Sequence, residues 1–222
     1  MPYDSFRKLL LNTCPLCHSA DLVAYHQDKR RHYQQCLHCA LVSVPAEFYL
    51  SPEAEKAEYD KHENHPQDLG YQQFLDRTLA PLLSRFAPTA LGLDFGCGEG
   101  KALSLMAQTR GYRVETYDLY YANHPELLTR QYDFITLTEV IEHVSDADAL
   151  LTLLNTLLKP KGILAVMTKR VLNPTAFSTW HYKNDPTHIN FYSEATFQWL
   201  AEHYGWRLEI IDKDVVFLHQ TN

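Results

Sequence analysis

The sequence has no run of about 18 apolar residues, the length that a helix needs to cross a bilayer. Its N-terminus also lacks the basic-then-apolar order of a secretory signal. These two absences predict a cytoplasmic protein without a membrane segment. Basic residues are also fewer than acidic ones, which gives a formal net charge of -7. Nucleic-acid binders usually carry a basic surface, so this balance argues against a broad nucleic-acid interface.

Cysteine is scarce, at five residues in 222, yet four of the five form two C-x-x-C pairs. Cys14 and Cys17 make the first pair, Cys36 and Cys39 make the second, and eighteen residues separate them. Cytosolic thiols stay reduced, whereas two such knuckles can turn four thiolates toward one metal ion. The spacing therefore predicts a zinc site. Four protein ligands leave no position for water, so the predicted role is structural.

Short apolar stretches around the cysteine pairs predict a small ribbon. The three predicted strands cover residues 22–25, 32–35 and 41–44. A unit of this size buries too little surface to fold securely alone, so the metal would act as its staple. We predict a zinc-ribbon domain over residues 1–50, followed by a linker or lid over residues 51–69.

From about residue 70 the pattern changes to alternating amphipathic helices and apolar strands. One strand runs directly into the glycine-rich turn of residues 96–100, and a helix follows. Strand, glycine turn and helix open a doubly wound nucleotide-binding fold, and the glycines let the backbone approach a ligand. The dinucleotide pattern G-x-G-x-x-G is missing, because Lys101 stands where its third glycine would be.

Residues 93–100, LDFGCGEG, resemble the first motif of the class I S-adenosylmethionine-dependent methyltransferases. In that family the acidic residue orients the amino acid end of the cofactor, and the glycines make room for it. The residues that the resemblance implies as cofactor contacts in this motif are Asp94, Gly96, Cys97, Gly98 and Gly100. Nothing basic adjoins Cys97 in the sequence, so it is expected to be a small residue near the cofactor and not a nucleophile.

The second strand of this half ends at Asp118, eighteen residues after Gly100. A carboxylate there can accept hydrogen bonds from both ribose hydroxyls, so Asp118 and the adjacent Leu119 are predicted cofactor contacts. A capping or turn role for Asp118 is the alternative. Only fourteen residues separate Asp118 from Asp133, where many relatives fit a helix and a third strand.

The segment over residues 132–143, a D-x-I strand followed by E-x-x-E-H, resembles the fourth motif of the same family. The resemblance implies that Thr138, Glu139 and Val140 lie alongside the cofactor and that His143 points toward the reaction site. In this family the segment before the first strand often covers the cofactor. The implied lid contacts are Tyr59 and His62, and a solvated acidic connector is the alternative.

Within residues 180–192, the eight residues 181–188 hold two histidines, a tyrosine and an aspartate beyond the carboxyl ends of the strands, where open α/β sheets bind ligands. This segment resembles the H-x-x-F-[FY]-[ST] stretch of many small-molecule methyltransferases. If the methyl acceptor is a hydroxyl or an acidic carbon, a general base is needed. We predict His143 and His188 as base candidates, with His181 and Tyr182 contacting substrate. A packed or hydrogen-bonded histidine is the alternative in each case.

Together, these patterns predict an α/β protein in which a Rossmann-like class I methyltransferase sheet, with helices on both faces, follows the zinc ribbon. The S-adenosylmethionine-binding methyltransferase domain is predicted over residues 70–222. Its predicted activity is methyl transfer to oxygen, nitrogen or carbon of a small molecule. One alternative is an RNA methyltransferase that binds RNA through the ribbon and residues 29–31, although a solvated turn is favoured for that basic run. A non-catalytic S-adenosylmethionine-binding or interaction module is the other.

Overall fold

The computed structural model describes residues 13–61 and 65–221. The strands within these residues are β1 Leu22–Gln27, β2 His32–Cys36, β3 Val42–Ser43, β4 Leu91–Phe95, β5 Arg113–Tyr117, β6 Tyr132–Thr138, β7 Leu158–Met167, β8 Asn190–Phe191, β9 Trp206–Ile210 and β10 Val215–Gln220. The α-helices are α1 Pro52–Tyr59, α2 Leu69–Leu83, α3 Ala102–Thr109, α4 Ala147–Leu157, α5 Pro174–Ser178 and α6 Glu194–Tyr204. Short 3-10 helices cover Ala46–Phe48, Pro125–Thr129, Ile141–His143 and His181–Asn184. None of the helices in this part of the chain is both long and apolar enough to cross a bilayer.

The larger sheet has the strand order β5-β4-β6-β7-β10-β9. Strands β5, β4, β6 and β7 are parallel, and β10 runs antiparallel to both of its neighbours. The central strands are buried on both faces, which is why β6 and β7 carry nearly continuous apolar runs. Helices α2 and α3 pack on one face, and α4 and α6 pack on the other. The predicted α/β class is confirmed.

Local signals determine where the helices flanking the site begin and end. The side chain of Ser193 accepts the N–H of Thr196 and caps α6, and Gly205 ends that helix at φ +66°. Asp146 caps α4 by accepting the N–H of Ala149. These caps hold the segments just beyond the carboxyl ends of β6 and β7 in place.

The connection after β5 is short, as the spacing between Asp118 and Asp133 predicts. It contains the 3-10 helix Pro125–Thr129 and leads directly into β6. Among the described strands, β5 therefore pairs only with β4 and forms one edge of the larger sheet.

The ribbon strands form a second sheet of order β1-β2-β3-β8. Its fourth strand comes from the other half of the chain, because Val42 in β3 pairs with Phe191 in β8. The cysteine knuckles also join the main hydrophobic core, where Leu16 and Leu41 are buried in the same cluster as Tyr192. The ribbon is therefore packed directly against the half of the chain that forms the larger sheet, and the predicted boundary near residue 50 stays a prediction.

Candidate active site and four-cysteine site

The glycine turn lies between the end of β4 and α3, at the carboxyl edge of the larger sheet. Gly96 has φ +76°, and a Cβ there would lie 2.4 Å from Cγ2 of Val140. Gly98 has φ +62°, but a Cβ there would meet nothing within 4 Å. Both positions need the left-handed backbone that glycine adopts freely. The first glycine also lets the turn after β4 pack against Val140, and the second faces open space.

Asp94 precedes this turn and is 3% exposed. Its Oδ1 accepts a hydrogen bond of 2.8 Å from the Thr136 hydroxyl. Burial, with a contribution from the charge of Asp118, raises the pKa of Asp94 to about 7. A cation placed beside such a carboxyl group would lower its pKa and cause it to ionise.

Asp118 lies just after β5, and its carboxylate is held by backbone N–H groups. Oδ2 accepts from the N–H of Gly98 at 2.9 Å, and Oδ1 accepts from Tyr120 and Tyr121 at 2.9 and 3.1 Å. The carboxylate therefore ties the turn after β5 to the glycine turn. Leu119 is 61% exposed at the rim of this region.

The residues that follow β6 lie at the same carboxyl edge of the sheet as the glycine turn and Asp118. Glu139 has φ +51°, a left-handed conformation that costs a non-glycine residue about 1–2 kcal/mol. Its N–H donates to the carbonyl of Met167 in β7 at 2.8 Å, which helps to hold this backbone. Strained residues of this kind concentrate at functional sites. Thr138 and Val140, on either side, are partly buried.

Cys97 and Gly100 complete the glycine turn, and both are partly buried. Burial raises the pKa of the Cys97 thiol to about 12, so this thiol stays protonated at neutral pH. Its position in the turn agrees with a space-filling role better than with that of a nucleophile.

Helix α1 lies across this edge of the sheet. The Tyr59 hydroxyl donates to Glu55 at 2.7 Å, and the Tyr59 ring stands edge-on to His143 with centroids 5.3 Å apart. The Tyr120 hydroxyl also reaches α1, through a hydrogen bond of 3.2 Å to Glu55. The helix thus bridges the turn after β5 and the segment after β6. His62, the second predicted lid residue, lies outside the described residues.

The two predicted base candidates come together. The rings of His143 and His188 meet edge to face with centroids 4.7 Å apart. Nδ1 of His143 lies 3.2 Å from the carbonyl oxygen of Thr187, and Nδ1 of His188 lies 2.8 Å from that of Tyr182. A carbonyl oxygen can only accept, so both Nδ1 atoms act as donors and Nε2 is the basic atom of each neutral ring.

A buried acid cluster lies next to the histidines. The Tyr182 hydroxyl donates to Glu142, and it also lies 3.1 Å from Oε2 of Glu139 and 3.2 Å from the hydroxyl of Thr168. Burial raises the pKa of both carboxyl groups, and the charge of Glu139 raises that of Glu142 further. Oε1 of Glu139 and Oε2 of Glu142 are buried without a hydrogen-bond partner in the described structure. A shared proton is the arrangement that limits the repulsion between the two acids.

Glu142, His143 and His188 also place donor atoms within 4.8 Å of one another. That spacing would allow one divalent cation to be held by two imidazoles and a carboxylate. His181 takes another position, because it is exposed and its Nε2 lies 3.1 Å from Nζ of Lys169. The structure thus brings Tyr182 and the two buried histidines together and leaves His181 at the rim.

Two residues of this region carried no role in the sequence prediction. Glu142 is fully buried, and its only sequence signal is its place in E-x-x-E-H. Tyr71 on α2 belongs to a helical apolar face, yet burial and the charges of Asp94 and Glu139 raise its pKa to about 12. Tyr71 therefore lies near the carboxyl edge of the sheet as well as against the core.

The four-cysteine site is built by two knuckles with matching backbone. His18 and Ala40 both have φ +59°, and each donates its N–H to the first cysteine of its pair at 3.0 Å. Sγ of Cys14 lies 3.4 Å from that of Cys39, and Cys17 and Cys36 are 3.4 Å apart as well. All four sulfurs lie within 4.8 Å of one another. A tetrahedral zinc with bonds of about 2.3 Å spaces its sulfurs by about 3.8 Å, so these donors fit that ion.

The prediction of a solvated turn for residues 29–31 needs one correction. Lys29 and Arg30 are exposed, but Arg31 is 7% exposed and its guanidinium donates to backbone carbonyls of residues 183–186. An arginine is suited to this position because its N–H groups bond to carbonyls that are buried in another segment of the same chain. It also removes Arg31 from any surface that could grip RNA.

The strand order, the antiparallel β10 and the glycine turn followed by Asp118 define a class I methyltransferase fold. Residues 71–210 match a family model described as a methyltransferase domain, which is well over half of the chain. The chain belongs to this family of methyltransferase domains.

Relatives and a solved structure agree with this assignment. The chain is 34% identical over 88 residues to a ubiquinone biosynthesis O-methyltransferase of Klebsiella pneumoniae strain 342, covering 38% of this chain and 35% of that protein. It is 32% identical over 84 residues to the protein of the same name from Salmonella paratyphi A, with the same shares. The chain thus matches about a third of the length of these curated relatives.

The fold is similar to that of 1,6-didemethyltoxoflavin-N1-methyltransferase from Burkholderia thailandensis, solved with bound 1,6-didemethyltoxoflavin and S-adenosylhomocysteine. The TM-score is 0.51 at 16% identity, and the match covers 90% of this chain and 99% of that one. At this identity the likeness concerns the fold.

Proposed function

We propose that this protein transfers a methyl group from S-adenosylmethionine to a small molecule whose accepting atom carries a proton, and that His143 removes this proton. The observation that carries the proposal is the meeting of His143 and His188 beside the cofactor-side residues, with centroids 4.7 Å apart. The similarity to O-methyltransferases supports an oxygen acceptor. The short matched length leaves the acceptor itself to experiment.

The cofactor is proposed to lie over the glycine turn. The sulfonium of S-adenosylmethionine is already activated, so the protein has to align donor and acceptor and exclude water. Asp94 would face the amino acid end, and Asp118 would exchange part of its backbone hydrogen bonding for the ribose hydroxyls. Tyr59 would cover the ligand from α1, since its ring already lies against His143.

On the acceptor side, His143 is the preferred base. Its Nδ1 is committed to the carbonyl of Thr187, which leaves Nε2 as the basic atom of the neutral ring. His188 is the less suited of the two, because a carboxylate oxygen of Asp185 lies 3.7 Å from its Nε2 and occupies one side of that atom. Tyr182 and Glu142 would hold the two rings in place through their buried contacts.

We further propose that the four-cysteine site holds a structural zinc ion. The spacing of the sulfurs and the matching knuckles support this, as does the absence of a ligand position for water in a four-thiolate shell. Zinc would hold the two knuckles together against the core.

The test is release of S-adenosylhomocysteine by the metal-loaded protein with 3,4-dihydroxybenzoate, a simple phenol, a primary amine and a short RNA as acceptors. His143→Gln is expected to lower turnover of an oxygen acceptor about 100-fold or more, the usual contribution of a general base, while cofactor affinity stays constant. His203→Gln is the matched control, because His203 is exposed on α6, stacks on Trp199 and lies outside residues 181–188. Methylation of RNA alone, or cofactor binding without turnover of any acceptor, would overturn the proposal. Activity lost on chelation and restored by Fe2+ or Mn2+ would assign Glu142, His143 and His188 to a cation instead.

A further inference from the structure

Arg31 lies in the turn between β1 and β2, far along the chain from the segment it contacts. Its Nη2 donates to the carbonyls of Lys183 at 2.7 Å and Asp185 at 2.8 Å, and its Nη1 donates to that of Pro186 at 3.2 Å. Its Nε donates to the Tyr33 hydroxyl at 3.1 Å. The guanidinium has five N–H donors in a rigid fork, so a single arginine can hold several carbonyls at once.

Asp28, three residues earlier, holds the same segment by a side chain. Lys183 is 6% exposed, and its Nζ lies 2.8 Å from Oδ2 of Asp28. The other oxygen of Asp28 accepts the N–H groups of Arg30 and Arg31 at 2.8 and 3.1 Å. A buried charge pair is stable only where its remaining polar atoms are also bonded, as they are in this turn.

The segment held in this way carries the acceptor-side groups. The carbonyl of Tyr182 lies 2.8 Å from Nδ1 of His188, and Asp185 lies 3.7 Å from the other nitrogen of that ring. Asp185 also accepts the N–H of Thr187 at 2.9 Å, and the Thr187 carbonyl faces His143. Movement of residues 183–186 would therefore displace the partners of both histidines.

We propose that Asp28 and Arg31 of the ribbon form a clamp that positions residues 181–188 for the reaction. Both are positioning residues, because they act through His188 and Tyr182. The clamp holds the acceptor side, whereas the glycine turn and Asp118 on the cofactor side are held by their own backbone hydrogen bonds. This inference rests on the proposed function in one respect, namely that residues 181–188 meet the acceptor.

The experiment compares Arg31→Met and Asp28→Asn with Lys29→Met in the full, zinc-loaded chain. Lys29 is exposed in the same turn, so its replacement removes one positive charge without touching the clamp. Three quantities are measured: affinity for S-adenosylhomocysteine by calorimetry, the rate of tryptic cleavage after Lys183, and the imidazole NMR signals of His143 and His188. None of them requires turnover, so a failed acceptor panel would refute the proposed function and leave the clamp testable.

In Arg31→Met we expect cofactor affinity within about twofold of wild type and cleavage after Lys183 about tenfold faster or more, since cleavage follows the local opening of the segment. The signals of His143 and His188 should shift, and the signal of His219, which pairs with Glu209 on the far strands, should not. Arg31→Lys keeps the charge without the fork and should restore the signals only in part. Unchanged histidine signals in Arg31→Met, or the same shifts in Lys29→Met, would overturn the clamp. A parallel loss of cofactor affinity would also overturn it, because it would mean general loosening. If Arg31→Met does not fold, the same outcomes apply to the near-isosteric Asp28→Asn.

Discussion

Asp94 gives the sharpest quantitative prediction, because its charge is set by burial. The pKa of this carboxyl is raised from 3.8 to about 7, chiefly by desolvation. In the unfolded chain the group ionises near its ordinary value. The part of the folding stability that depends on a neutral Asp94 is therefore fully present below about pH 4 and is lost as the pH rises through about 7. Three pKa units correspond to about 4 kcal/mol as an upper limit.

Asp94→Asn removes this titration while preserving the shape of the side chain. Without ligand, the variant should be more stable than wild type at pH 8 by as much as about 4 kcal/mol, and its Tm should rise by up to about 10 °C. At pH 4 the difference should vanish, since both side chains are then neutral in the folded protein. The measurement is a series of urea unfolding curves between pH 4 and pH 8.

Ligand binding should also reveal the proton on Asp94, because the bound ligand should cause its release. S-adenosylhomocysteine carries an ammonium group, which would lower the pKa of Asp94 if the two meet as proposed. At pH 7 the carboxyl is about half protonated, so binding should release about half a proton. Calorimetry in phosphate and in Tris buffer measures this release, and Glu99→Gln, an exposed carboxylate of the same turn, is the control. Equal heats in the two buffers for wild type, or undiminished release in Asp94→Asn, would refute the reasoning.

Three further changes test other parts of the site. Gly96→Ala should lower the free energy of unfolding in urea by about 2–4 kcal/mol, because it combines left-handed strain with a clash against Val140. Gly98→Ala should lower it by only about 1–2 kcal/mol but should still block binding of S-adenosylhomocysteine. Equal losses of stability in the two variants would contradict this. Metal analysis should find about one zinc per chain, and Cys39→Ser should lose it and lower the Tm, while Cys97→Ser should keep it. Tyr182→Phe should destabilise the protein by about 1–3 kcal/mol, and the loss should grow from pH 5 to pH 8 as the carboxyls of Glu139 and Glu142, whose folded pKa values are raised, are forced to ionise without a donor.

Features encoded over a few residues could be predicted from the sequence. The two cysteine knuckles depend on residue type at fixed local spacing, and the structure brings their four sulfurs together. The cap of α6 at Ser193 and its end at Gly205 depend on residue type in the same way. The sheet follows from apolar runs that alternate with amphipathic helices. The glycine turn was recognisable because backbone that must come close to a ligand excludes side chains.

The remaining features depend on contacts between distant parts of the chain. Nothing near Arg31 in the sequence indicates that its partners are the carbonyls of residues 183–186, so a basic run reads as a solvated turn. The pairing of β3 with β8 joins two-residue strands, which are too short to show a period. Glu142 is one of two acids in its motif, and the motif does not show that it is the one that is fully buried.

These distant contacts explain why the ribbon and the catalytic half are difficult to separate. Residues 182–192 are held on one side by the turn at Asp28 and by β3, and on the other by the segment after β6, where the N–H of Ile189 donates to the carbonyl of Glu142 at 2.9 Å. The proposed acceptor side of the site thus has the ribbon as one of its two walls. The proposed cofactor side is built from β4, β5 and their own turns. A substitution in the ribbon should therefore weaken acceptor binding more than cofactor binding. A ribbon that bound a substrate of its own would not need these contacts with residues 182–192.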